Sequence, residues 1–117
     1  MTPKRSVPAR FGSFSSPFAS VDEAWFWTVA ALTARHDGSR HGGARAPRPC
    51  DPDDVVRCLD RLYRDRRIEL AHARVLRTWG ERQISPGGTG KEAADMMLWR
   101  QAMDRLRPVL RQKGIVQ

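Results

Sequence analysis

The chain has 117 residues, with 21 Lys or Arg against 13 Asp or Glu, and a formal net charge of +8. That length bounds it to one domain with a modest core. A sequence pI near 10.9 points to an acidic partner, nucleic acid being the usual one for a small basic domain.

Two cysteines are too few for a disulfide framework. No apolar segment follows Lys4, Arg5 and Arg10, so no secretory signal is expected. The longest apolar run, 24–32, is far below the ~20 residues a membrane helix needs. The expectation is a reduced, cytoplasmic protein without membrane contact.

Residues 1–19 mix Pro, Ser and Gly with Phe11, Phe14 and Phe18 without helical period. They read as an extended, partly flexible arm pinned to a single helical domain over 20–117. Ser20 followed by Glu23 is a capping box, so a first helix is expected over 21–35, stopped by Asp37-Gly38. Trp25, Phe26, Trp27, Val29, Ala30, Ala31 and Leu32 leave it almost no polar face, which makes it central. Phe26 or Trp27 is expected among the least exposed side chains, with Trp79 and Trp99 in the same core. After a Gly-, Pro- and Arg-rich loop, Asp51-Pro52-Asp53-Asp54 starts a second helix: a capping carboxylate, a proline where no N–H is needed, and acids at the positive dipole end.

In that helix, over 52–65, Val55, Cys58, Leu59, Leu62 and Tyr63 share one face, with Arg57, Asp60, Arg61 and Arg64 on the other. A third helix over 68–83 turns Ile68, Ala71, Val75, Leu76 and Trp79 inward, with Leu70, Ala73, Arg74, Arg77 and Glu81 outward. Ser85-Pro86-Gly87-Gly88 breaks the pattern before a last helix over 91–113. Its stripe is Met96, Trp99, Ala102, Met103, Leu106 and Leu110, and Pro108 is expected to kink or split it. Gly114 closes it. The fold class is all-α: four main helices, a helix-turn-helix-like pair and an extended N-terminal arm.

Chemistry-bearing motifs are few. Gly87-Gly88-Thr89-Gly90-Lys91-Glu92 imitates a phosphate loop, but Ser85 and Glu92 stand where that loop needs Gly and Ser or Thr. His36, His41, His72, Cys50 and Cys58 lack the close pairing of structural zinc ligands, so no metal or other cofactor is expected. No serine, cysteine or histidine arrangement suggests a nucleophile, and no catalytic activity is expected. Trp79 and Trp99 fall in inward stripes and read as core.

The arginines remain. Arg57, Arg61, Arg66 and Arg67 are placed to hold phosphates, with Arg74 and Arg77 nearest the bases if the third helix enters a major groove. Two other readings stay open. Arg57, Asp60, Arg61 and Arg64 would pair among themselves along a solvated helix face, and scarce Lys with no Asn is what a GC-rich coding bias produces without selection for binding.

Ser16-Pro17-Phe18, Val21-Asp22-Glu23-Ala24-Trp25, Arg48-Pro49-Cys50-Asp51-Pro52-Asp53-Asp54-Val55 and Lys113-Gly114-Ile115-Val116 together resemble a group of short uncharacterised bacterial proteins, and that likeness implies no activity. Residues 51–83 resemble helix-turn-helix proteins in architecture only, without the usual Gly in the turn. The functional expectation is a small basic protein that binds double-stranded DNA, as a bacterial transcriptional regulator or mobile-element accessory factor. The alternative is an adaptor for an acidic protein partner, with RNA binding third.

Overall fold

The computed structural model describes residues 16–38 and 48–117. The expected anchors Phe11 and Phe14, with Arg40, His41 and Arg45 of the loop, lie outside them. The described residues form four helices: α1 (Val21–His36), α2 (Pro52–Arg64), α3 (Leu70–Arg82) and α4 (Ala93–Gln112), the last preceded by the 3₁₀ turn Gly90–Glu92. The fold is all-α, and the single extended pairing among the described residues is a bridge between Phe18 and Val116.

α1 and α4 are the inner helices: each packs on α2, on α3 and on the other, while α2 and α3 make at most marginal contact with one another. The core follows that layout. Val21, Ala24 and Trp25 from α1 meet Val55, Cys58 and Leu62 from α2, Val75, Leu76 and Trp79 from α3, and Trp99 to Leu110 from α4. No described helix is long and apolar enough to cross a membrane.

Tryptophan is the fastener. Each buried indole must find an acceptor for its N–H, and three find it on another helix. Trp25 Nε1 of α1 donates to the Leu76 carbonyl of α3 at 2.9 Å. Trp79 Nε1 of α3 donates to Asp95 Oδ2 of α4 at 2.9 Å. Trp99 Nε1 of α4 donates to Asp22 Oδ2 of α1 at 2.9 Å. The three bonds close a ring through α1, α3 and α4.

The caps fall where the sequence puts them. Ser20 Oγ accepts from the Glu23 N–H, and Glu23 Oε1 reaches back to the Ala19 N–H. The Asp51 N–H donates to Asp54 Oδ2 at 2.9 Å. Gly114 takes the left-handed conformation after α4, and the Ile115 N–H returns to the Leu110 carbonyl. Ile115 and Val116 then turn back into the core. There the Phe18 N–H donates to the Ile115 carbonyl and the Gln117 N–H to the Phe18 carbonyl.

Several expectations are corrected. On α1 Val21, Ala24, Trp25, Thr28 and Ala31 are buried, while Phe26 and Trp27 are half-buried. Thr28 is tolerated there because its hydroxyl donates to the Ala24 carbonyl at 2.7 Å. α3 starts two residues late: Glu69 is its cap, so Ile68 fills the core from the turn and Ala71 is exposed. Its inward histidine, His72, accepts the Glu69 N–H at Nδ1 and meets Gln101 Oε1 of α4 through Nε2 at 2.8 Å. That arrangement fixes the neutral Nε2–H tautomer. Tyr63, expected inward, is 47% exposed at the end of α2. α4 runs unbroken through Pro108. Pro108 is exposed, so the carbonyl it leaves unbonded can turn to water.

The α2–α3 turn lacks glycine and pays in backbone strain instead. Arg66 sits at φ 63°, with its N–H bonded to the Tyr63 carbonyl and the Arg67 N–H to the Leu62 carbonyl, the paired bonds of a left-handed helix stop. Arg66→Gly is expected to raise the unfolding free energy by about 1 kcal/mol by relieving that strain, read from a urea titration. A loss of stability would mean that the guanidinium makes a contact worth more than the strain.

Candidate nucleic-acid interface

Position along α2 decides which arginines share a surface. Val55, Cys58 and Leu62 turn inward, which leaves Arg57, Arg61 and Arg64 exposed along the helix. The end of α4 lies beside them, since α2 packs on α4. Between the two runs a groove of about 900 Å³, lined by Arg57, Arg61, Arg64, Arg67 and Lys113 against Asp54 and Asp65, over a floor that includes Cys50, Cys58, Leu62, Val109 and Ile115. Five cations face two carboxylates, so the groove is positive.

The groove holds three of the six arginines singled out in the sequence: Arg57, Arg61 and Arg67. Arg66 lines a second hollow, which shares Arg64 with the groove. Arg74 and Arg77 are exposed on α3, a helix that does not pack on α2. The six are not brought together in one place. Arg64 and Lys113 are additional members. Arg64 was legible on the outer face of α2, whereas Lys113 arrives only through the packing of α4 and has no local signal.

Intrahelical pairing engages part of this charge. Arg57 bonds Asp54 at 2.9 Å, Arg64 bonds Asp60 at 2.9 Å, Arg61 approaches Asp65 at 3.8 Å, and Arg77 approaches Glu81 at 3.4 Å. All these groups are well exposed, and such pairs contribute ~0–1 kcal/mol each, so a polyanion can displace them. Arg66, Arg67 and Arg74 have no ion pair among the described residues.

The thiols under the groove are not poised for chemistry. Burial, with Asp54, Asp51 and Cys58 adding to it, pushes the Cys50 thiol up to about 11. Burial also raises Cys58, Asp54 adds to the rise, and Lys113 partly offsets it. Cys50 is therefore expected to alkylate about a hundredfold more slowly at pH 8 than a free cysteine, with the rate climbing towards pH 11. Rapid labelling at pH 8 would show a stabilised thiolate. Among the described residues, no group of three or more His, Cys, Asp or Glu side chains could hold a metal ion.

The fold and groove define a small all-α protein with a cationic cleft along its second helix. No known family, curated protein or solved structure matches the chain.

Proposed function

We propose that this protein binds DNA through its phosphate backbone, as a transcriptional or mobile-element accessory factor. The observation that carries the reading is the α2–α4 groove with its five cations. A row of arginines along one exposed helix face suits successive phosphates, and cations brought in from the turn and from α4 extend the row. Each phosphate neutralised releases counterions, which makes affinity steeply salt-dependent.

Duplex DNA binding measured by anisotropy between about 50 and 200 mM salt tests this directly. The log–log slope should be about −0.9 per phosphate contacted. Arg57→Ala and Arg61→Ala should each flatten it by about one unit for every duplex tried. Their side chains are 74% and 78% exposed, so stability should change by no more than about 0.5 kcal/mol. Arg74→Ala and Arg77→Ala, outside the groove, should leave affinity within about twofold. A loss of sequence preference from those two would instead restore base reading by α3. Absence of any DNA binding at low salt, to duplex or to single strand, overturns the proposal in favour of an acidic protein partner.

A further inference from the structure

The last turn of helix α2 carries an aromatic ring that the core does not use. Trp25, Trp79 and Trp99 are buried and Phe26 and Trp27 are half-buried, but Tyr63 is 47% exposed. It lines a hollow of about 490 Å³ with Arg64, Arg66, Ile68, Glu69 and Leu70. Leu70 is also 51% exposed, so the rim is apolar as well as cationic. The volume lies within the range of about 300–1,000 Å³ common for small-ligand sites.

Arg64 lines both this hollow and the phosphate groove. The two hollows therefore meet at Arg64, and a strand whose phosphates followed α2 would have Tyr63 within reach of a base. In an intact duplex the base faces are already stacked inside, so only an unpaired nucleotide presents its face to a side chain. Every base has such a face, which makes stacking on an aromatic ring sequence-tolerant. A flanking guanidinium such as that of Arg66 adds a planar cation to the stack.

We infer that Tyr63 is a stacking platform for an unpaired nucleobase, so that the preferred ligand is DNA with a single-stranded segment. The inference rests on the backbone-binding reading above and narrows its substrate class.

The test uses the full chain with a single-stranded oligonucleotide carrying 2-aminopurine and a blunt duplex of equal length. Tyr63→Leu is expected to weaken single-strand binding about tenfold, abolish the quenching of 2-aminopurine, and leave duplex affinity and the salt slope unchanged. Tyr63→Phe should bind as the parent does, because stacking needs the ring and not the hydroxyl. Thermal unfolding of both variants checks that an exposed side chain has been altered without loss of the fold. Equal single-strand binding by Tyr63→Leu and the parent overturns the inference, as does a loss in Tyr63→Phe as large as in Tyr63→Leu. In either case the groove reading survives if the parent still binds DNA with a steep salt slope. Failure of the parent to bind either oligonucleotide at low salt overturns both.

Discussion

Trp99→Ala is expected to cost about 3–5 kcal/mol of unfolding free energy, the range for truncating a fully buried tryptophan. Trp99 is 1% exposed, stacks against Phe26 with ring centroids 5.5 Å apart, and ties α4 to α1 through Asp22. A small domain holds only about 5–15 kcal/mol in total, so this one change should leave the protein close to unfolding at ambient temperature. Trp99→Phe separates the two contributions. It keeps most of the ring volume and loses the N–H bond to Asp22, for about 1–3 kcal/mol. Denaturant midpoints for the pair measure the difference. An alanine variant within 1 kcal/mol of the parent would show that the inner α1–α4 pair is not organised around this ring.

Gly80→Ala should also destabilise, by about 1–3 kcal/mol, against the direction helix propensity dictates. In an exposed helix, alanine in place of glycine gains about 1 kcal/mol. At Gly80 a Cβ would lie 2.8 Å from Trp25 Nε1 and 2.8 Å from Val29 Cγ2. Neither neighbour can yield freely: the Trp25 indole is buried and held by its bond to the Leu76 carbonyl. The added methyl must push α3 away from α1 or break that bond, and overpacking of a tight contact carries about this penalty. A rise in melting temperature would mean that α1 and α3 are loosely docked in solution.

Much of the architecture was legible because it is written in local chemistry. Ser20 and Glu23, Asp51 with Pro52, and Gly114 each mark a helix boundary through hydrogen bonds made within a few residues. The inward stripes of α2 and α4 follow from period alone, except at Tyr63, where the end of α2 leaves the ring without a neighbour to cover it. α1 was legible as a central helix but not in its orientation, since a helix apolar on nearly every side gives period nothing to choose between Trp25 and Trp27. The register of α3 failed for another reason. The left-handed turn at Arg66 uses a residue with no intrinsic preference for that conformation, so the helix start could not be placed, and Ala71 was turned inward where His72 and Gly80 belong. The candidate site was half legible. Arg57, Arg61 and Arg67 line the groove, but the separation of Arg74 and Arg77 from it depends on how α2 and α3 dock against the inner helices. No local signal carries that information.

The clasp between Phe18 and Val116 joins segments at opposite ends of the described chain. Contacts of such long sequence separation carry a large loop-closure cost before they repay it. Helix caps such as Ser20 with Glu23 and Asp51 with Asp54 act within a few residues and do not need the clasp. The clasp is therefore expected on the late side of the folding barrier: shortening the Phe18 side chain should hasten unfolding while leaving the folding rate nearly untouched, as stopped-flow rates of Phe18→Ala would read. On that expectation Phe18 is a latch on the lifetime of the folded state and takes no part in finding it.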